Sequence, residues 1–218
     1  MRLVKPTRKL GSATTITMMA DQGTREDAMS YRESSERLAA YRHQIADLRR
    51  KMRELQAGAE PEEVRDYEFA TSQGLVRLSA LFGDKADLIV IHNMGASCPY
   101  CTLWADGYNG IYHHLSGRAA FAVSSPDRPD VQKEFATGRG WRFPMVSHVN
   151  STFAADMGFR SPSGGWLPGI TAFRRDADRI LRVSDASCAP GDDFCTVWHL
   201  FELLPDGADG WAPKYRYP

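Results

Sequence analysis

The chain has 218 residues, of which 43% are hydrophobic, and its 27 basic and 27 acidic residues give a formal net charge of zero. This length and composition predict one globular domain with an added element. The neutral charge gives no indication of nucleic acid or an anionic membrane as a partner, and no apolar run approaches the roughly 20 residues of a membrane span. The first residues hold no apolar stretch of signal-peptide quality, so we expect a cytoplasmic protein, in which four cysteines do not make a disulfide scaffold.

The N-terminal part of the sequence predicts a flexible leader or arm over residues 1–29, followed by a long helix over residues 31–56. Ser30 and Glu33 have the spacing of a capping box. The apolar residues of the helix recur in alternating steps of three and four and form a heptad seam: Leu38, Tyr41, Ile45, Leu48, Met52 and Leu55. The seam requires a partner surface. Packing on the same chain is the commoner arrangement for so short a run, and a homodimer through this helix is the alternative.

Residues 62–205 are predicted to form the main domain, and residues 206–218 a C-terminal tail. Gly74 marks a small hairpin. Two continuous apolar runs, Asp87–Asn93 and Ala119–Ser124, are typical of strands buried on both faces. The helical spacing between them predicts a right-handed parallel βαβ unit.

The remaining local predictions concern helix ends and a second strand pair. Gly107 and Gly110 are expected to bend or break the helix of the βαβ unit. The later elements are a helix over 129–137 with Asp127 as cap and Gly138 as stop, strands over 167–173 and 179–183, and a last helix over 194–204.

Cys98 and Cys101 stand three positions apart between a buried strand and the start of a helix. Free amide groups and the positive end of the helix dipole stabilise a thiolate at this place. The pKa of Cys98 is therefore expected to fall, which makes it a nucleophile near neutral pH. Cys101 lies within one helical turn, so it can attack a mixed disulfide on Cys98 and release the product. Pro99 fits the first turn of a helix and stiffens the loop.

Cys188 and Cys195 flank a loop before the last helix and allow three interpretations. They could complete a four-thiolate zinc site with Cys98 and Cys101, but six residues between them match a zinc knuckle poorly. They could form a second redox pair that relays electrons to Cys98. The interpretation that loop spacing favours is two unrelated cysteines. No metal and no other cofactor is predicted.

The segment from Asp87 to Ser124 resembles the first half of the thioredoxin superfamily, and Cys98-Pro99-Tyr100-Cys101 resembles the glutaredoxin form of its motif. From about Tyr31 to Leu204 the sequence is similar to a bacterial thioredoxin-like family, domain of unknown function 899, whose members are described as predicted dithiol-disulfide oxidoreductases. This resemblance is carried by the arginine-rich helix and by the motifs Asp66-Tyr67-Glu68-Phe69, Leu81-Phe82-Gly83, Trp104-Ala105-Asp106, Gly140-Trp141-Arg142-Phe143-Pro144 and Leu167-Pro168-Gly169.

The resemblance implies an α/β, thioredoxin-like fold, with a central mixed sheet flanked by helices and an added long N-terminal helix. It implies a thiol-disulfide oxidoreductase acting on a disulfide-containing protein or a small thiol. Pro168 resembles the cis-proline that offers backbone hydrogen bonds to a substrate disulfide, and trans-proline is the alternative. Tyr100 and Trp104 are candidates to line a substrate groove, although helical spacing favours a core position for Trp104.

Two other functions remain open. The chain could be a thiol peroxidase using Cys98, although the proline and threonine that peroxiredoxins carry seven and three residues before their cysteine are Ile91 and Gly95 here. It could also be a non-enzymatic, redox-sensing or partner-binding protein, because a fold does not determine its chemistry.

Overall fold

The computed structural model describes residues 29–218, so the predicted leader, apart from Met29, lies outside the described residues. Packing divides the chain into two units, with the boundary in the sequence between Lys51 and Met52. The helices are α1 (Tyr31–Gly58), α2 (Leu78–Leu81), α3 (Pro99–Arg118), α4 (Pro129–Arg139), α5 (Phe153–Asp156) and α6 (Thr196–Phe201). The strands are β1 (Glu62–Val64), β2 (Glu68–Thr71), β3 (Gly74–Arg77), β4 (Asp87–His92), β5 (Ala120–Ser125), β6 (Met145–Ser147), β7 (Gly169–Asp176) and β8 (Arg179–Ser187).

Helix α1 begins at the predicted capping box. The Ser30 amide donates to Glu33 Oε2 at 3.0 Å, and the Glu33 amide donates to Ser30 Oγ at 3.3 Å. Burial of the heptad seam of α1 on the same chain stays a prediction, as does a homodimer through this helix.

The strands form one mixed sheet in the order β1-β8-β7-β4-β5-β6-β2-β3. β4 pairs in parallel with β5 and antiparallel with β7, and β7 pairs antiparallel with β8. The connection from β4 to β5 contains α3, as the predicted βαβ unit requires. A parallel β-α-β unit joined to an antiparallel pair in this order is the thioredoxin-like arrangement, which confirms the predicted fold class.

Strand β4 separates two hydrophobic clusters because its side chains point alternately to the two faces of the sheet. Leu88 and Val90 contribute to the Phe153 cluster, which contains Phe69, Leu78, Phe82, Phe153, Phe159 and Phe173. Ile91 contributes to the Trp104 cluster, which contains Trp104, Tyr108, Phe121, Cys188, Cys195 and Trp198. Helix α3 supplies Trp104 and Tyr108, so the Trp104 cluster joins the helix that carries the cysteine motif to the sheet.

Gly169, the first residue of β7, lies opposite His92 in the register of β4 and β7. The ring of Phe159 covers Gly169 and stacks on His92 at a centroid distance of 4.0 Å. A Cβ atom on Gly169 would overlap the ring of Phe159 and lie 2.7 Å from the carbonyl oxygen of Ala186. The absence of a side chain at Gly169 is therefore what permits Phe159 to close this part of the core.

Several predicted element ends are wrong. Helix α3 runs unbroken through Gly107 and Gly110, because the burial of its other face outweighs the low helix propensity of glycine. Helix α4 continues past Gly138 to Arg139 and is followed by Gly140, which has the left-handed φ of +68° that favours glycine at this position. Helix α6 is shorter than the predicted range of 194–204, and no pattern in the sequence predicted β1.

Within residues 29–218, no helix combines the length and apolar character needed to cross a membrane.

Candidate functional site

Cys98 is the N-cap residue of α3, at the end of the short loop that follows β4. Pro99 occupies the first turn of the helix, as predicted. Amide groups in this turn have no acceptor within the helix, so the missing amide hydrogen of proline costs no hydrogen bond. The carbonyl of Cys98 accepts hydrogen bonds from the amide and the hydroxyl of Thr102, both at 3.0 Å. The helix start therefore holds the backbone of Cys98 in one position.

The thiols of Cys98 and Cys101 have different environments. Cys98 Sγ accepts the amide of Cys101 at 3.0 Å. A hydrogen bond from the Cys101 thiol, with the amides of Cys101 and Tyr100, lowers the pKa of Cys98 to about 7. The same hydrogen bond and burial raise the pKa of Cys101, which is only 3% exposed. The pair therefore consists of one thiol that ionises near neutral pH and one that keeps its proton.

The loop before Cys98 is held by two polar side chains that the sequence did not mark as functional. Asn93 Oδ1 accepts the amide of Gly95 at 2.7 Å, and Asp127 Oδ2 accepts the amide of Ala96 at 2.8 Å. Asp127 was predicted to cap α4, but the residue before α4 is Arg128 and its side chain makes no capping bond. Asp127 instead links the end of β5 to the cysteine loop.

Iodoacetamide is expected to alkylate Cys98 of the reduced protein with a midpoint near pH 7 instead of near pH 9, because the thiolate is the reactive form. The rate should reach a plateau above the midpoint and fall as the pH drops below about 7. Cys188, whose pKa is raised to about 12 by burial, is the internal control and should react slowly over the same range. Peptide mapping by mass spectrometry measures both rates. A midpoint near 9 at Cys98 would contradict the assigned thiolate stabilisation.

A small pocket beside the motif is lined by Cys101, Trp104, Tyr108, Pro168 and Cys188, with the end of β4. No peptide bond within residues 29–218 is cis, so the cis interpretation of Pro168 is wrong. The carbonyl of Pro168 accepts the amide of Cys188 at 3.0 Å. The backbone acceptor that the resemblance assigns to a substrate is therefore already bonded within the chain.

Tyr100 and Trp104 pack toward α6. Tyr100 stacks on Trp198 at a centroid distance of 6.3 Å and is partly buried. Trp104 is 4% exposed, as its helical spacing favoured, and its Nε1 donates to Asp192 Oδ1 at 3.2 Å. Both residues lie beside the cysteine motif, and contact of either with a substrate stays a prediction.

A second small pocket adjoins the loop that precedes Cys98. It is lined by Asn93, Gly95, Ala96, Asp127, Gln132, Phe135, Trp141 and Met145. Tyr215 of the C-terminal tail packs edge-on against Phe135 at 6.2 Å, and its carbonyl accepts Arg139 Nη1 at 3.1 Å. Burial and the charges of the Cys98 and Cys101 thiolates raise the pKa of Tyr215. Sequence reasoning missed this pocket because its lining residues come from three separate segments of the chain.

Cys188 and Cys195 are both buried in the Trp104 cluster, with exposed fractions of 8% and 6%. Cys188 lines the same pocket as Cys101, and the role of the Cys188 and Cys195 pair stays a prediction. All four cysteines are free thiols. Over the described range 29–218, no three His, Cys, Asp or Glu side chains converge as a metal site.

His92 is a core histidine and does not touch the thiols through its polar atoms. Its Nε2 lies 2.9 Å from Thr171 Oγ1, and its ring stacks between Phe153 and Phe159. Burial holds the pKa of His92 well below its usual range, so the ring is neutral at neutral pH.

Comparison with known proteins gives a family match over most of the chain. A family model described as a bacterial protein of unknown function, DUF899, matches residues 22–216. No curated protein matches the chain.

Solved structures give a weaker likeness. Peroxidoxin BcpB from Mycobacterium tuberculosis is 28% identical and aligns over 58% of this chain and 84% of its own, with a TM-score of 0.49. Peroxiredoxin Q from Xanthomonas campestris is 17% identical over 55% and 78%, with a TM-score of 0.48. AhpC from Enterococcus faecalis is 15% identical over 70% and 98%, also with a TM-score of 0.48. Likeness at this level assigns no activity, so the chemistry has to be argued from the site.

Proposed function

Since the chain belongs to the DUF899 family of bacterial proteins of unknown function, we propose an activity from its own site: it is a thiol-disulfide oxidoreductase with Cys98 as nucleophile and Cys101 as resolving thiol. The observation that supports this most directly is the asymmetry of the pair. Cys98 accepts the amide of Cys101 and has a pKa of about 7, while Cys101 is buried and protonated. A nucleophile that ionises near the ambient pH is the most effective in thiol-disulfide exchange.

The reaction proceeds by two exchanges. The Cys98 thiolate attacks one sulfur of a substrate disulfide, so a mixed disulfide forms and the other substrate sulfur leaves as a thiolate. Cys101 then loses its proton and attacks Cys98 Sγ, which releases the second substrate thiolate and leaves a Cys98–Cys101 disulfide. The substrate gains two electrons and the motif loses two. An external dithiol returns the motif to its reduced state.

The substrate is a disulfide-containing protein or a small thiol in its oxidised form. The pocket beside the loop supports this choice, because Phe135 and Trp141 offer apolar surface next to the motif. Pro168 lines the pocket that Cys101 and Cys188 share, and its carbonyl accepts the amide of Cys188. Its proposed contribution is therefore to form one wall of that pocket.

An equilibrium titration of the Cys98–Cys101 pair against glutathione or dithiothreitol tests the proposal. Thiol alkylation followed by mass measurement reports the oxidised fraction. We expect a reversible two-electron transition between roughly −270 and −120 mV, the range of thioredoxin-fold oxidoreductases. The Cys188→Ala/Cys195→Ala variant is titrated in parallel, because Cys98 and Cys101 are its only cysteines and only they can form a disulfide.

Three results would contradict the proposed activity. Absence of a transition in the Cys188→Ala/Cys195→Ala variant would favour a binding function. Zinc retained by the purified protein would favour the four-thiolate metal site. Rapid consumption of peroxide with a sulfenic acid on Cys98, without turnover of disulfides, would favour a thiol peroxidase.

A further inference from the structure

Cys188 is fixed next to the cysteine motif by the sheet. It directly follows β8, and its amide donates to the carbonyl of Pro168 at 3.0 Å, just before β7. Pro168, Cys101 and Cys188 line the same small pocket. The charges of the two thiols also act on each other, since a thiolate on Cys188 raises the pKa of Cys101. Cys188 is therefore a buried thiol that shares a pocket with Cys101.

The carboxylate of Asp192 folds the segment from Cys188 to Cys195 into a closed loop. Its Oδ2 accepts the amide of Ala189 at 3.0 Å, and its Oδ1 accepts the amide of Cys195 at 3.1 Å. The same Oδ1 accepts the indole Nε1 of Trp104 on α3. One side chain thus holds both ends of the loop together and attaches them to the helix that carries Cys101.

We infer that Cys188 and Cys195 form a second dithiol, which reduces the Cys98–Cys101 disulfide from inside the protein. This inference rests on the proposed function, because it needs the motif to become a disulfide during turnover. Its substrate is that internal disulfide, and its own electrons come from an external dithiol.

The transfer consists of two exchanges between neighbouring sulfurs. Cys188 loses its proton and attacks Cys101 Sγ, so a Cys101–Cys188 bond forms, the Cys98–Cys101 bond breaks, and Cys98 leaves as a thiolate. Cys195 then loses its proton and attacks Cys188 Sγ, which forms the Cys188–Cys195 disulfide and releases Cys101, which takes up a proton. The motif gains two electrons and the second pair loses two, so no other reactant is needed.

The pKa values of the thiols indicate the direction in which electrons move between the two dithiols. Burial raises the pKa of Cys188 to about 12 and also raises that of Cys195. The pKa of Cys98 is lowered to about 7. A dithiol that contains a stabilised thiolate is the more stable in its reduced form, and its disulfide is the stronger oxidant. Electrons therefore move from the second dithiol to the motif.

Limited oxidation of the full chain tests this direction. The fully reduced protein is treated with one molar equivalent of diamide, brought to equilibrium, blocked with N-ethylmaleimide and mapped by mass spectrometry. We expect the Cys188–Cys195 disulfide to exceed the Cys98–Cys101 disulfide by about tenfold or more, which corresponds to about 30 mV. A disulfide at Cys98–Cys101 with Cys188 and Cys195 alkylated would overturn the inference.

A trapping experiment tests the route. In the Cys98→Ser/Cys195→Ser variant, oxidation should give a Cys101–Cys188 disulfide. The matched Cys98→Ser/Cys188→Ser variant should give no Cys101–Cys195 disulfide, because Cys195 does not line the pocket. Equal cross-linking in both variants, or none in either, would overturn the inference. Thermal unfolding followed by circular dichroism checks that both variants are folded.

The proposed function can fail separately from this inference. If the Cys188→Ala/Cys195→Ala variant still shows a reversible Cys98–Cys101 transition while the wild-type protein shows no transfer, only the relay is wrong. If that variant shows no transition, the activity of the motif itself is wrong.

Discussion

Replacing Cys98 with serine is expected to lower the rate of thiol-disulfide exchange by about a thousandfold or more, because a serine hydroxyl does not ionise near neutral pH and cannot form a mixed disulfide. Cys98 accepts the amide of Cys101 through a lone pair of sulfur, and a serine oxygen can accept the same amide. The fold should therefore be retained, and the unfolding midpoint should change little. Reduction of a disulfide-linked fluorogenic peptide measures the rate.

The Cys101→Ser variant is the matched control for this loss. It keeps the nucleophile but cannot resolve the mixed disulfide, so the substrate should stay covalently bound to Cys98 and appear as a mass adduct. Equal activity of the Cys98→Ser and Cys101→Ser variants, or an adduct on Cys101 instead of Cys98, would contradict the assigned roles.

The largest expected effect on stability is that of Gly169→Ala. The added methyl group would overlap the ring of Phe159, which stacks on His92, and it would meet the carbonyl of Ala186 at 2.7 Å. Phe159 cannot move without opening the Phe153 cluster, and the carbonyl of Ala186 belongs to the backbone of β8. We expect the free energy of unfolding to fall by about 3 kcal/mol, the upper part of the range for overpacked cores. Urea unfolding measures it.

Gly107→Ala is the control for the same chemical change. Gly107 lies on the exposed side of α3, and a Cβ there meets no atom within 4 Å. Alanine is favoured over glycine inside a helix by roughly 0.5–1 kcal/mol, so this variant should be slightly more stable than the wild-type protein. A neutral Gly169→Ala variant, or similar losses at both positions, would show that Phe159 does not restrict position 169.

The central elements could be predicted because their signals are local. The apolar run of β4 reflects burial on both faces, and Leu88 and Ile91 lie in different clusters as a result. The capping box of Ser30 and Glu33 is a relation between residues three positions apart. The place of Cys98 at a helix start followed from the same kind of short-range pattern.

The rest of the site depends on contacts between distant segments. Asp192 lies 88 positions from Trp104 in the chain, and no spacing rule predicts their hydrogen bond. The sequence position of Asp127 suits a cap of α4. Its hydrogen bond from the Ala96 amide, however, can form only after β4 and β5 have paired. The glycines of α3 led to a wrong prediction because helix propensity is a local property. The helix is stabilised by the burial of Trp104 and Tyr108, which depends on distant parts of the chain.

The position of Trp104 gives the protein a built-in optical reporter. Its indole lines the same pocket as Cys101 and Cys188 and is shielded from solvent. Disulfides quench indole fluorescence at short range far more than thiols do. Its emission should therefore dim when a disulfide forms beside it, so that stopped-flow fluorimetry can follow each oxidation and reduction in real time without an attached dye.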